Sequence, residues 1–190
     1  MEYASFLRHH IEQIIELNDS EFDIVQTYFH PKKVKKKEYL INKGNKVTSE
    51  FLVINGCLKA FTFDESGKEY IVQFAMENWW ISDYPAFSKQ TEGEMCVQAL
   101  ENCTVLELAH EHKLEMIGRV RSMTEFFGKK SFSGYVALQN RVLSLLKNSP
   151  KEKYELLLNQ YPELFQRVSK TMIAHYLGVS RETLSRLQNK

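Results

Sequence analysis

The sequence closes on VSRETLSRLQNK, Val179 to Lys190. Three side chains there are suited to reading bases: Arg181, Glu182 and Arg186. A guanidinium matches the O6/N7 edge of guanine with two parallel hydrogen bonds, and a carboxylate accepts from the N4 amino group of cytosine. Ser180, Thr183 and Ser185 add hydroxyls to the same stretch. A carboxylate facing DNA is repelled by phosphate, so a glutamate between two arginines points to a base contact rather than to backbone affinity. Charge gathers here too. Over residues 167–190, Arg167, Lys170, Arg181, Arg186 and Lys190 stand against Glu182 alone, a local net of +4 on a 190-residue chain whose formal total is +1. No global field draws this chain to a polyanion, so any such partner must be met by a local patch.

A short basic helix needs a second element to hold it. Ile173 and Leu177 lie four apart on one helical face, with the small Ala174 beside them. Gly178 permits the left-handed conformation that ends a helix. Val179 fills the corner, Ser180 can cap the next helix, and Leu184 and Leu187 lie three apart on its buried face. The pattern predicts a helix-turn-helix, with a helical hairpin that holds no ligand as the plainer alternative. Ser169 and Lys170 open the first helix, where Lys170 is placed to meet phosphate.

Upstream, the periodicity changes twice. Ile11, Ile14, Ile15 and Phe22 predict an amphipathic helical entry, with Asp19 or Ser20 as the cap of a second turn of helix. Residues 30–110 read as short strands with no long helix between them. EYLINKGN runs into a turn at Gly44. Asn55–Gly56 predicts one hairpin and Asp64–Gly67 another, and CVQALENCTVLELA is a further strand, turn and strand. The spacing predicts a closed or sandwiched β domain. The run Lys32, Lys33, Lys35, Lys36 and Lys37 reads as a solvated guard on an edge strand, the alternative being a DNA-contact or nuclear-localisation patch.

From about His112 to Lys147 there is no proline. Ile117, Val120, Thr124, Phe127, Ser131, Gly134, Leu138, Arg141 and Leu145 fall at alternating steps of three and four, predicting one long helix with a dimer seam. Its expected interface residues are Ile117, Val120, Phe127, Gly134, Leu138 and Leu145, with the backbones approaching at Gly134. The alternative is a helix lying on its own β domain. The expected organisation is α+β: a β-barrel or jelly-roll over 1–111, a dimerisation helix over 112–147 and a helix-turn-helix over 148–190.

Several function classes fall away. No stretch approaches the ~20 apolar residues that span a bilayer. The N-terminus carries charges throughout and lacks a signal-peptide core. Cys57, Cys96 and Cys103 are dispersed and odd in number, which argues against a disulfide framework or zinc site and for a reducing, cytoplasmic setting. A barrel oxygenase needs histidines inside its strands. The six are His9, His10, His30, His110, His112 and His175, with none between 31 and 109. No catalytic residue, metal ligand or cofactor site is expected, and the chain does not read as an enzyme.

Together the small β domain, long helix and terminal SRETLSR resemble the Crp–Fnr family of bacterial transcription regulators. SRETLSR is similar to the recognition helix of cyclic-AMP-responsive members, in which the equivalent Arg, Glu and Arg read a TGTGA half-site. The resemblance covers nearly the whole chain and implies a homodimer on an inverted-repeat DNA operator, with RNA polymerase as a further partner. It also exposes departures. Nucleotide-binding members carry a Gly-Glu pair for the ribose and an Arg-Ser or Arg-Thr pair for the cyclic phosphate. Here Ser82–Asp83 stand near the first pair and Gly93–Glu94 near the second, where a glutamate would repel phosphate. No cyclic-AMP response is expected, the alternatives being a divergent cassette that still binds a cyclic nucleotide, or a redox-sensing thiol. Trp79, Trp80 and Tyr84, with Glu94, are candidates for a pocket around a flat effector, core packing being the plainer account. An iron–sulfur sensor would need four clustered thiolates. Family members continue into wing strands after the recognition helix. The sequence given ends at Lys190, so phosphate contacts from a wing are expected to be absent.

Overall fold

The computed structural model describes residues 2–188, and Lys190 of the expected patch lies outside the described residues. Two helices come first, α1 (Glu2–Glu12) and α2 (Asp19–Val25). The cap of α2 is Asn18, not Asp19 or Ser20. Its side chain accepts from Glu21 N at 2.9 Å while the Glu21 carboxylate accepts from Asn18 N at 3.2 Å. Such a reciprocal box satisfies two orphan amides at once, which neither neighbour could do. Strands follow: β1 (His30–Val34), β2 (Tyr39–Ile41), β3 (Ser49–Asn55), β4 (Leu58–Phe63), β5 (Glu69–Ala75) and β6 (Trp80–Ile81). After α3 (Tyr84–Lys89) come β7 (Cys96–Ala99) and β8 (Cys103–Ala109), then α4 (His110–Arg119) and α5 (Ser122–Lys147).

The strands form two four-stranded sheets, β1-β8-β3-β6 and β2-β7-β4-β5. Asp64–Gly67 closes the β4–β5 hairpin as expected, with the Asp64 side chain accepting from Ser66 N and Lys68 N. Asn55–Gly56 does not close a hairpin. It carries the chain from the first sheet to the second, and the turn between β7 and β8 carries it back. Only glycine fits position 56: its φ is 109°, and a Cβ there would lie 2.5 Å from Cys103 Sγ and 2.8 Å from Cys103 Cα. A turn type can be read locally, but which sheet the next strand joins depends on pairing far along the chain. The lysine run fits the edge reading, since β1 pairs only with β8 and Lys32 reaches Glu107 across that pair at 3.3 Å.

Strands β3 and β8 are buried on both faces. Phe51, Val53, Cys103 and Val105 point into the core between the sheets, while Leu52, Leu106 and Leu108 point to a second core under the helices. Alternation of side chains along a strand produces this division directly. The helical core gathers Leu7 and Ile11 of α1, Phe22 and Val25 of α2, Met116 of α4, and Met123, Phe126 and Phe127 of α5. Glu50 of β3 faces the same side. Lys113 of α4 donates to its carboxylate at 2.7 Å, and the ammonium also sits 4.0 Å from the Phe127 ring centroid. Burial raises the Glu50 pKa, opposed by Lys113.

The helix expected over 112–147 is two helices. Val120 breaks it with extended backbone (φ −124°, ψ 92°). Its side chain is drawn into the helical core, which redirects the chain between α4 and α5. Three expected seam residues are therefore misplaced. Val120 and Phe127 are buried in their own core, and Ile117, half-buried, packs against it. From residue 132 onward α5 is different. Phe132, Tyr135, Val136, Val142, Leu143 and Leu146 are exposed, Phe132 at 69% and Leu146 at 79%. They recur at helical spacing on one face. Gly134 belongs with Leu138, Arg141 and Leu145 on a neighbouring stripe, and a Cβ added to it meets nothing within 4 Å.

The contacts divide the chain into two compact units, one of residues 1–60 and 74–132, the other of residues 61–73 and 133–190. Among the described residues no helix is long and apolar enough to cross a membrane.

Within the first unit, His10 is 2% exposed. Its Nδ1 faces Asn78 Oδ1 at 3.3 Å and its Nε2 accepts from Trp80 Nε1 at 3.0 Å, between the rings of Phe6 and Phe126. These partners suit a neutral imidazole. Burial, aided by Lys130, depresses the His10 pKa from 6.5 to about 4. The unfolded chain therefore takes up this proton first, and the contribution of His10 to stability is complete above pH 6.5 and lost as pH falls through about 4. The size of that loss is about 3 kcal/mol. Urea unfolding across this window should show stability falling with acidification, and His10→Gln should give a visibly shallower slope.

Candidate nucleic-acid interface

The C-terminal helices are α6 (Pro150–Gln160), α7 (Leu164–Arg167), α8 (Lys170–Leu177) and α9 (Arg181–Gln188). Pro150 suits the first turn of α6 because its missing N–H would have no helical partner there. Ser149 caps that helix in a reciprocal box with Glu152. Ser169 caps α8 by accepting from Met172 N at 3.2 Å. Gly178 ends α8 in the left-handed region with φ 67°, its N–H bonded to Ala174 O. Val179 N also reaches Ala174 O, at 3.0 Å, and Ser180 Oγ then accepts from Thr183 N at 3.1 Å to start α9.

This junction fixes which side of α9 is buried. Ile173, Ala174, Leu177 and Leu184 are buried, with Val179 and Leu187 half-buried around them. Ala174 is fully enclosed, as a crossing of two helices requires of a small residue. The opposite side of α9 presents Arg181, Glu182, Ser185 and Arg186 to solvent. Arg181 and Ser185 lie four apart, as do Glu182 and Arg186, so the four form two adjacent rows. Lys170 is exposed at the start of α8.

The expected DNA-facing residues thus separate by role. Ser169 and Ser180 have their hydroxyls engaged as caps, and Thr183 Oγ1 lies 3.0 Å from Ser180 Oγ. Arg181, Glu182, Ser185, Arg186 and Lys170 keep exposed side chains. The Glu182 carboxyl is held below the usual carboxylate range, first by its own backbone N–H, then by the Ser180 hydroxyl, with Arg181 and Arg186 adding to this. It is an ionised acceptor in the first turn of the helix, where the helix dipole also favours negative charge.

The expected effector residues are not gathered in one place. Trp80 packs on the helical core, its ring edge-on to Phe29 and Phe127 and its N–H on His10. Trp79 packs against the core between the sheets. Tyr84 and Glu94 are exposed. A cleft of about 120 Å³ lies elsewhere, lined by residues from Leu40 to Phe51 and by Glu107. That volume is below the ~300 Å³ at which small-molecule pockets begin. The packing account of the tryptophans is the one that fits.

In the loop from Ser82 to Glu94 the converging amides are met by a side chain of the loop itself. Asp83 is 1% exposed; its Oδ1 accepts from Ala86 N at 3.2 Å, and its Oδ2 accepts from Glu94 N at 2.9 Å and Met95 N at 3.0 Å. Ser82 donates to Ser49 O at 2.9 Å. Gly93 N bonds Asn45 O, and its own carbonyl accepts from Gly44 N. Composition alone gave no sign of this: Asp83 is recognisable only once residues 83 and 94 are seen side by side. Cys57, Cys96 and Cys103 are buried and form no disulfide, and the described residues hold no group of three or more His, Cys, Asp or Glu suited to a metal ion.

Comparison with known proteins gives a consistent result. Residues 31–120 match the cyclic nucleotide-binding domain family. The chain is 25% identical over 185 residues to an anaerobic regulatory protein of Haemophilus influenzae, covering 90% of this chain and 70% of the relative. It is 23% identical over 177 residues to the cAMP-activated global transcriptional regulator CRP of Escherichia coli, covering 85% and 81%. Among solved structures, the c-di-GMP responsive global regulator CLP of Xanthomonas campestris superposes with a TM-score of 0.73 at 12% identity, over 90% of each chain. FixK2 of Bradyrhizobium japonicum gives 0.72 at 15% identity, over 85% of this chain and 83% of that one. The structural likenesses establish the fold. The relatives are regulators rather than enzymes.

The turn supplies its own test. Gly178→Ala places a Cβ 3.8 Å from Leu145 Cδ2, an ordinary contact, so its penalty is conformational. That penalty should be about 1–2 kcal/mol. Ser180→Ala should cost about 1 kcal/mol by leaving Thr183 N without its cap. Hydrogen exchange of the α9 amides should accelerate in both variants, while the amides of β3 and β8 keep wild-type protection.

Proposed function

We propose that this chain, which belongs to the Crp–Fnr family of transcription regulators, reads an inverted-repeat DNA operator as a homodimer. The observation that carries the reading is the outer side of α9. Arg181, Glu182, Ser185 and Arg186 are presented together on a helix whose other side is locked by the Gly178 turn and Leu184. Regulators of this family bind DNA and act as dimers. In this reading the sandwich up to about residue 111 is the sensing body, α5 carries the dimer contact and residues 148–190 read DNA.

The exposed face of α5 from Phe132 to Leu146 supports the dimer. Six exposed apolar side chains at helical spacing form a surface of the kind that a dimer contact would cover. The stripe first expected, through Gly134, Leu138 and Leu145, lies beside this face, with Leu138 and Leu145 also exposed. Two copies of α9 related by a two-fold axis would enter successive major grooves, with half-site centres about one helical turn apart. A TGTGA-like half-site is the starting expectation, with Arg181 or Arg186 on guanine and Glu182 on cytosine.

The barrel is proposed not to answer to cyclic AMP. A carboxylate of the chain already accepts from Glu94 N and Met95 N, and Glu94 stands where an arginine would meet a phosphate. Titration calorimetry with cyclic AMP should give no binding tighter than roughly millimolar. Micromolar binding would favour the divergent-cassette alternative.

Selection from random DNA tests the reading itself. It should return an inverted repeat with a G·C pair in each half-site. Arg186→Ala should cost about 1–3 kcal/mol and relax preference at one base pair. Lys170→Ala should weaken every sequence about equally and flatten the salt dependence. Glu182→Ala separates two roles. A base-reading glutamate predicts higher non-specific affinity with lost discrimination at one position, whereas an unchanged selected motif would reduce Glu182 to a helix-terminal charge. In light scattering the protein should behave as twice the 22.3 kDa chain, and Phe132→Glu with Leu146→Glu should return it to monomer.

A further inference from the structure

Arg141 interrupted the expected heptad seam, and the fold gives it a different task. Its guanidinium is half-buried at the meeting of three elements. Nη2 donates to Ile71 O of β5 at 2.9 Å and to Tyr176 O of α8 at 3.0 Å. The guanidinium carbon lies 3.5 Å from the centroid of the Tyr176 ring. His175 Nδ1 and Glu69 Oε1 stand 3.5 Å apart, a second approach between α8 and β5. All of these residues belong to the second compact unit.

The two acceptors are backbone oxygens. Ile71 lies in the hairpin arm, which is continuous with the β2-β7-β4-β5 sheet. Tyr176 lies in the last turn of α8, where carbonyls have no helical partner and a cation is favoured. Both bonds come from one nitrogen, Nη2, while the guanidinium carbon lies over the Tyr176 ring; a lysine ammonium could donate to the two oxygens but has no plane to stack. Beyond Tyr176 the chain passes through Gly178 directly into α9, so whatever fixes the end of α8 fixes the reading helix.

We propose that Arg141 is a positioning residue for DNA reading: by joining α5, the 61–73 hairpin and the end of α8, it sets the angle at which α9 leaves the long helix, and hence the spacing of the two reading helices in a dimer. The inference rests on the dimeric, DNA-reading function proposed above. It differs from a merely structural role in what it controls. Spacing matters only when two half-sites are engaged together, so loss of Arg141 should spare a single half-site.

The test uses the full-length protein and duplexes carrying one TGTGA half-site, or two as inverted repeats with centres about 8 to 13 base pairs apart. Arg141→Lys keeps the charge and loses the planar group stacked on Tyr176. It should remain folded and dimeric and bind the single half-site within about twofold of wild type, yet lose about tenfold or more on the best inverted repeat and accept a broader range of spacings. Tyr176→Leu keeps the backbone acceptor and removes the stack, and should broaden the spacing preference in the same direction with a smaller loss. An Arg141→Lys protein with wild-type affinity and an unchanged spacing optimum would overturn the inference. So would equal losses on single and paired half-sites, since that result assigns Arg141 only to holding the helices folded. If unmodified protein binds no inverted repeat at any spacing, the dimeric reading falls and this inference falls with it, a result separable from the first two by the wild-type control alone.

Discussion

Burial of β3 and β8 on both faces is the constraint from which the rest of the first unit follows. Leu52, Leu106 and Leu108 put apolar surface on the outside of the sandwich, and that surface must be covered. Helices α1, α2 and α4 and the first turns of α5 supply the cover. The covering also requires Val120 to turn inwards, which breaks the helical path and gives α5 its own start. Met116, Val120 and Met123 all reach that core, from the end of α4, the break and the start of α5 in turn. The buried Glu50–Lys113 pair and the neutral His10 network sit in the same layer. Each is satisfied there by specific partners, which is the condition under which buried polar groups are tolerated.

Beyond residue 132 the same helix changes character. Its first turns are committed to the protomer's own core, and its later apolar face is left exposed. Both populations repeat at steps of three and four, so periodicity alone does not divide them. Only burial separates Phe127, which is spoken for, from Phe132, which is not.

The loop from Ser82 to Met95 closes on an acceptor of its own. Backbone amides that converge in a loop need an acceptor, or they carry the desolvation penalty of unpaired donors. Asp83 provides that acceptor from within the chain. The same chemistry starts α9, where Ser180 closes the first turn and Glu182 is held ionised beside it. Hydroxyls that look like DNA contacts in the sequence are in part caps, and the side chains left facing water are the two arginines, the glutamate and Ser185.

What the sequence determined by itself was local. Glycine at 178, a serine two residues on and apolar residues at helical spacing define a helix-turn-helix because each requirement is met within about fifteen residues. The alternation through residues 49–76 likewise defines strands, and the hairpin at Asp64–Gly67 is readable because its bonds are short-range. The tertiary structure decided the rest. It placed β3 and β4 in different sheets although a turn joins them, put Trp80 on His10 rather than in a pocket, and assigned Asp83 to the amides of Glu94 and Met95. It also turned Arg141 from a flaw in a seam into the tie between Ile71 and Tyr176. The physical reason is common to all four. A dihedral preference or a hydrophobic period is a property of neighbouring residues, whereas a pairing partner is chosen by which distant groups would otherwise be buried unsatisfied, and that is known only once the chain has closed on itself.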